Sequence, residues 1–400
     1  MLEGTEILLS NCSVKNIEKL SIDDKVITHK GRERKVINIS KVKYNGNVYR
    51  LSIKNNRQLI VLPKTLLFNM YVKFDPEDPE YNILSKKYSD PSYTQKIIFR
   101  LKHTIKELKF KSIEDLCKYD VLLSPVIIKS VENSISEDEA WLLGIFAAEG
   151  SFGKKYNRLQ SVIFTFNINE YNTLAKKTKE TLEKSFPKGS IHLTELIDKS
   201  TCVLTITGKT ESGEKITDFF HRHVGEYSDK KILSDDIIFS SSYKVRRKFI
   251  IGWLEGDGHV EKTYGRIIGV SVSKDMSNQI RFILHSIGIH NSLYLVDNTD
   301  KTIQINPNYK PSKIKNVYRI EIPASSGVDL IYESDFLSFN KKGKTIKLNS
   351  YYNNYFIGNV VKNITIENFS GYIYSIIIDE DNSYLANNII CSSGECNENN

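Results

Sequence analysis

Proline is scarce in this sequence, 9 residues in 400, and glycine is not enriched at 21. A chain so composed is neither fibrous nor disordered, because both classes depend on far more of these residues. Long apolar runs are missing too. A membrane span needs roughly 20 consecutive apolar residues, and stretches such as Ala140 to Ala148 stop far short of that. The opening residues, Met1 to Glu6, carry no basic segment ahead of an apolar one. Membrane insertion and secretion are therefore not expected, and an intracellular protein is, nuclear if the source is eukaryotic. Cysteine is sparse, five residues at odd spacing, which reads as reduced thiols rather than a disulfide framework. Cys391 and Cys396 lack the second pair or nearby His that a zinc site needs.

What the chain does contain is ordinary globular material, 40% hydrophobic and 26% charged. Single cores stop growing near about 250–300 residues, so this length predicts two or three domains. The net charge of +8 suits a polyanionic partner without identifying one.

From Thr5 to about Ile60 the pattern is short and β-like, with strands expected at Glu6 to Leu9, Lys25 to Thr28, Lys35 to Ile39 and Val48 to Ile53. Turns are expected at Lys30-Gly31 and Asn45-Gly46. Pro76, Pro79 and Pro91 mark an insertion or long loop. Its basic end carries Lys96, Arg100, Lys102 and Lys106, so residues 73–110 form a candidate extension of a nucleic-acid footprint. β-type patterns return at Tyr119 to Pro125 and, near the end, at Ile364 to Ile366, Tyr372 to Ile378 and Ser383 to Ala386.

Residues 136–345 differ because they repeat themselves. A mostly apolar helix, Trp141 to Gly150, has a counterpart at Phe249 to Gly258. Each is followed by an alternating strand, Val162 to Ile168 or Ile267 to Ser273. A helix comes next, Glu170 to Ser185 or Met276 to Ser286, and then more strands at 201–207 or 317–322. The expected fold class is α+β: a duplicated αββα domain inserted in an all-β domain. Residues 1–135 and 346–400 supply the two parts of that outer domain, since insertions are tolerated at exposed loops.

Small residues, Gly144, Ala147 and Ala148 in one helix and Gly252 and Gly256 in the other, would let the two helices pack closely. Each ends in an acid followed by glycine, Glu149-Gly150 and Asp257-Gly258. A carboxylate at a helix C-terminus is disfavoured by about 0.3–1 kcal/mol, and finding it at both equivalent places calls for a reason. Two carboxylates brought together by the repeat could bind divalent cations through hard oxygen ligands and support phosphodiester hydrolysis. The alternative is two core helices that end at glycine with solvated acids.

These two motifs, Leu142 to Gly150 and Ile250 to Gly258, resemble those of the LAGLIDADG homing endonucleases. The resemblance implies that Glu149 and Asp257 are catalytic and hold Mg²⁺ or Mn²⁺ together with Gly150 and Gly258. It further implies a monomer acting on double-stranded DNA at a long non-palindromic target. Glu149 stands where the family has Asp. Lys230-Lys231-Ile232-Leu233 looks like the family's Lys-x-Ile-Pro stretch; Lys230 matches the Lys, with Lys231 as the alternative. Their counterpart in the second half falls on Lys341 or Lys342. Candidate DNA contacts are Lys154, Lys155 and Arg158 in one half and Lys262, Arg266 and Lys274 in the other, with Arg246 and Arg247 before the second motif.

The flanking β-segments are similar to the split halves of a Hint (intein) domain, but the splicing residues are absent. Met1 stands in place of the initiating Cys or Ser, Leu62 and Thr65 in place of Thr and His, and Ser375 in place of an acid. Ser392-Ser393 replaces the terminal His-Asn. A DNA endonuclease on a splicing-inactive frame, similar to the yeast mating-type switching endonuclease, is the expectation. The alternative is an intein that performs protein splicing, with the endonuclease as passenger.

Overall fold

The computed structural model describes residues 1–54, 56–74, 104–118, 120–126, 129–132, 134–196, 200–299, 301–303, 312–337 and 355–393. The chain divides into two compact units, Met1–Lys129 with Lys347–Asn400, and Ser130–Ile346. Most of the 73–110 region, including Lys96, Arg100 and Lys102, lies outside the described residues, as do Lys341, Lys342 and Cys396.

The first unit is all β among its described residues apart from two single 3₁₀ turns, and its strands join in one eleven-stranded sheet. Its backbone is a pair of very long antiparallel strands, Glu33–Ile53 and Phe356–Ile378, in register from Val36 opposite Ile378 to Ile53 opposite Val361. Asn45-Gly46 is therefore not a turn; it lies inside the first strand, opposite Ser370 and Phe369. The local turn signal loses because the two strands supply each other's backbone partners on both sides of it, from Val36 to Ile53. Lys30-Gly31 does turn the chain, with Gly31 at φ +70°. The flank of the 73–110 region is a hairpin, Leu66–Phe74 paired with Thr104–Ser112.

The second unit holds seven α-helices among its described residues: α1 (Glu137–Glu149), α2 (Lys176–Ser185), α3 (Ile216–Val224), α4 (Asp235–Ile238), α5 (Tyr243–Asp257), α6 (Lys274–Ser286) and α7 (Ala324–Glu333). Two four-stranded sheets accompany them. The first runs Gly189–Leu196, Thr201–Gly208, Arg158–Asn167, Gly150–Lys155 across its width. The second runs Ser292–Val296, Val317–Ile322, Ile267–Ser271, Gly258–Val260. Their strand orders are the same, and each half reads helix, two strands, helix, two strands, helix. The strands expected at 201–207 and 317–322 are present, and each half adds to the expectation a strand before them, Gly189–Leu196 or Ser292–Val296, and a closing helix. Among the described residues a small strand pair, Thr302–Ile303 with Ser312–Lys313, is added in the second half only.

α1 begins at a capping box: Glu139 N–H donates to Ser136 Oγ at 3.2 Å and Ser136 N–H to Glu139 Oε2 at 2.8 Å. Three acids in its first turn suit the helix dipole. From Ala140 to Ala147 every residue is buried, as expected of a helix that is apolar all round. α5 pairs with it through bare backbone. A Cβ on Gly144 would stand 2.3 Å from the Phe249 carbonyl oxygen, and one on Gly252 would stand 2.2 Å from that of Trp141. Neither obstacle is a side chain that can swing aside. Gly144→Ala or Gly252→Ala should therefore destabilise the protein by about 1–3 kcal/mol, the usual cost of overpacking. Chemical denaturation checks this, and a midpoint equal to the parent's would show that the helices are not in such close contact.

Candidate active site

The close approach of α1 and α5 brings their C-terminal acids together. Glu149 is the last residue of α1 and Asp257 the last of α5. The Glu149 carboxylate lies against the opposite helix, with Oε1 only 3.7 Å from where a Cβ on Gly256 would be. Loss of water raises the Glu149 carboxyl to about 7, helped by the nearby charges of Asp257 and Glu170. The same desolvation lifts Asp257 to about 6 against the opposing pull of Lys231. Neither helix ends in the left-handed turn of a solvated C-terminus. Gly150 (φ −89°) and Gly258 (φ −109°) are extended and lead straight into strands. The chain bends so sharply there that a Cβ on Gly150 would meet Phe146 and one on Gly258 the Leu254 carbonyl.

The cation at this place is Lys231. Its Nζ donates to the carbonyls of Phe146 and Ala147 at 2.9 Å each and of Gly150 at 3.1 Å. It thereby joins the Gly150 N–H on the Phe146 carbonyl and caps the C-terminal end of α1. Burial lowers its ammonium to about 8 while Asp257 and Glu149 hold it up. Lys230, the residue matched from the sequence, is exposed, with its Nζ 5.8 Å from the Tyr227 ring centroid. Lys230 closes a turn, its N–H bonded to the Tyr227 carbonyl at 2.8 Å, and the chain enters the interior only at Lys231.

Sequence reasoning missed the residues that hold Lys231 in place. Ser273 Oγ donates to the Lys231 carbonyl at 2.6 Å. Gln279, fully buried on α6, accepts from Leu233 N–H at 2.7 Å and donates to the Leu233 carbonyl at 3.1 Å. On the other side of the loop, Ser234 Oγ sits 2.7 Å from Nδ1 of His223, whose ring burial lowers to about 4. A loop of the first half is thus clamped by the second. The signal available in the sequence was a glutamine among the apolar residues of α6. Glu255 was also missed. Buried in the helix interface, it accepts from Trp141 Nε1 at 2.7 Å and Ser334 Oγ at 2.6 Å.

The expected DNA contacts fall into two groups. Lys155 and Arg158 are exposed on a hairpin whose two-residue turn, Tyr156-Asn157, has both φ angles positive. Lys154 also lies there, paired with Glu226 and with the Tyr227 hydroxyl at 3.1 Å. Lys262 is exposed, Lys274 opens α6, and Arg266 is held by Glu261 and Glu321. Arg246 and Arg247 depart from expectation, since both are spent inside the protein. Arg247 is 7% exposed and donates Nε to Glu333 at 2.6 Å, tying α5 to α7. Arg246 donates to the Ser240 carbonyl. They fall on the inward side of the first turns of α5.

Among the described residues no group of three or more His, Cys, Asp or Glu forms a metal cluster. Two converging carboxylates of raised proton affinity are still a fitting donor set for Mg²⁺ or Mn²⁺. Mg²⁺ is commonly held by one or two carboxylates plus water and substrate phosphate, and a cation would relieve the repulsion between these two acids.

Comparison with known proteins bears on this unit most directly. Residues 244–342, from α5 to past α7, match the family described as LAGLIDADG-like domain. The ATP-dependent DNA helicase Hel308 of Thermococcus kodakarensis is 20% identical over 98% of this chain and 36% of its own length. A DNA polymerase of Thermococcus aggregans is 24% identical over 63% of this chain and 14% of its own. The chain thus spans about a third or less of the length of these two curated relatives. A crystal structure of I-DmoI in complex with DNA and Mn is similar at 17% identity and a TM-score of 0.36, covering 52% of this chain and 100% of that one. The part of the chain similar to the LAGLIDADG-like domain is thus the second half of the duplicated unit.

Proposed function

We propose that this protein is a site-specific endonuclease that hydrolyses both strands of a long, non-palindromic DNA target with the help of Mg²⁺ or Mn²⁺. The observation that carries the reading is the meeting of Glu149 and Asp257 at the ends of two helices in backbone contact, beside the buried ammonium of Lys231. A helix that merely ends has no cause to desolvate an acid, and here two are desolvated together.

In this reading Glu149 and Asp257 hold the metal, with the backbone at Gly150 and Gly258 shaping the turn beneath it. A bound divalent cation supplies positive charge to the scissile phosphate and its leaving oxygen. Lys231 keeps a second positive charge in a site shielded from water, where it counts for more than at the surface. The halves have diverged in sequence, so a single chain presents two unlike half-sites and a monomer suffices.

The match to a helicase and a polymerase over most or nearly all of this chain, but a small share of each relative, supports one module carried by different hosts. That pattern is consistent with an intein-like β unit around the nuclease. It also favours a second reading, a protein-splicing element. Leu62, Thr65, Ser375 and Ser392-Ser393 stand against it at the positions splicing chemistry needs.

Incubating the protein with a randomised DNA library and Mg²⁺ or Mn²⁺, then sequencing the cut ends, tests the proposal. One long asymmetric consensus is expected. A folded protein that cuts nothing with either metal would refute it.

A further inference from the structure

The two sheets of the second unit share a register, so their outer faces can be compared position by position. Gly150 pairs with Phe164 and Gly258 with Gly269, which makes Ile163 the counterpart of Ile268. Across the next strand Ile163 pairs with Thr205 and Ile268 with Glu321. By the same register Ser161 corresponds to Arg266, Val203 to Arg319 and Thr194 to Tyr294. At these positions one face carries hydroxyl and aliphatic groups where the other has two guanidiniums, a carboxylate and a phenol, while His192 on the first face stands opposite Thr205 as Ser292 stands opposite Glu321.

The carboxylate sits between the guanidiniums. Arg266 Nη1 donates to Glu321 Oε2 at 2.9 Å and Arg319 Nη2 lies 2.8 Å from Glu321 Oε1. Arg266 Nε also donates to Glu261 at 2.8 Å, and its guanidinium lies 5.4 Å from the Tyr264 ring. Glu321 is 15% exposed, whereas the arginines remain 37% and 36% exposed. The acid is recessed and the basic forks stand out. A residue meant only to neutralise phosphate gains nothing from a carboxylate within 3 Å, because the acid cancels its charge and repels the backbone. A guanidinium that reads a base edge does gain, since its fork must be held at a set angle to bond both O6 and N7 of guanine.

We propose that the second-half sheet reads guanine in its half-site through Arg266 and Arg319, with Glu321 as the positioning residue that fixes both forks. The first-half sheet reads its own half-site without guanidinium from these positions, through the hydroxyl and aliphatic groups of Ser161, Thr205, Val203 and Thr194. The inference rests on the DNA-cleaving reading above and concerns which bases that site accepts.

Binding sites selected from a randomised duplex library in Ca²⁺ test it, because the readout does not require cleavage. The parent should enrich guanine at one or two positions of one half-site only. A triple variant, Arg266→Ser, Arg319→Val and Glu321→Thr, carries the first half's residues and should lose that enrichment while the other half-site's preferences stay. Glu321→Ala should lower discrimination against non-guanine bases about tenfold without weakening binding to unselected DNA. If the triple variant does not fold, Arg319→Lys keeps the charge and removes the fork, and guanine preference should fall at an unchanged salt dependence. Guanine preference absent from both half-sites or shared by both overturns the inference, as does a triple variant, or Arg319→Lys in its place, with parental preferences. A uniform loss of affinity in Glu321→Ala with discrimination intact overturns it too. A parent that selects sites but cuts none defeats the endonuclease reading alone; a parent that selects no DNA defeats both.

Discussion

Neutralising either acid, by Glu149→Gln or Asp257→Asn, is expected to cut double-strand cleavage by roughly 100-fold or more, the scale of losing one well-placed electrostatic group at a reacting centre. DNA affinity measured in Ca²⁺ should change little, because the proposed base contacts lie on the sheets and not at the acids. Plasmid linearisation and gel shift separate the two effects. Parental cleavage rates in both variants would remove these residues from the mechanism. The same acids set a pH signature. Their folded-state values, about 7 for Glu149 and about 6 for Asp257, lie above the ordinary 4.5 and 3.8. Between those limits the folded protein binds more protons than the unfolded one, so the stability they contribute is complete near pH 4 and lost as pH rises through 6 and 7. Lys231 runs the other way. Its value falls from 10.5 to about 8, so its contribution grows from pH 8 upward. The metal-free protein should therefore lose stability relative to Glu149→Gln as pH rises from 5 to 7.5. Mg²⁺ or Mn²⁺ should raise the parent's Tm more at pH 7.5 than at pH 5.5. A parent and variant whose Tm values run parallel across this range would mean the carboxylate is not desolvated as described.

Replacing Lys231 by Met should reduce cleavage by about 10²- to 10³-fold, whereas Lys230→Met should leave it within about threefold of the parent. The contrast follows from placement: Lys231 is 3% exposed with three carbonyls at the end of α1, and Lys230 is in water. Met retains the aliphatic stem, so the comparison isolates the ammonium. If nicked plasmid accumulates during the slow reaction of Lys231→Met, this lysine serves one strand more than the other. An inactive Lys230→Met beside an active Lys231→Met would reverse the assignment.

Several features were legible without coordinates because they are local or periodic. The small residues and terminal acids of α1 and α5 announce a helix pair, since close approach needs Gly144 and Gly252 whatever surrounds them. The strands that follow alternate with period two. Boundaries shifted by a few residues, as at Tyr243, where α5 begins a turn and a half before its apolar run.

Other features depended on partners distant in sequence. Asn45-Gly46 reads as a turn until a strand more than 300 residues away pairs with it. Lys230 and Lys231 are equivalent as letters, and only the direction in which the loop is clamped by Gln279 and Ser273 decides which ammonium enters the interior. Arg246, Arg247 and Arg266 all count as positive charge in the sequence. Structure divides them: Glu333 and the Ser240 carbonyl take up Arg247 and Arg246, whereas Arg266 stays partly exposed beside Glu321. The sequence by itself determined the duplication, the α+β class and the two acids, all properties of composition and spacing along the chain. Which cations face a ligand and which are consumed by folding was decided only in three dimensions, where a charge acts on whatever lies within a few ångströms, however far away in the chain.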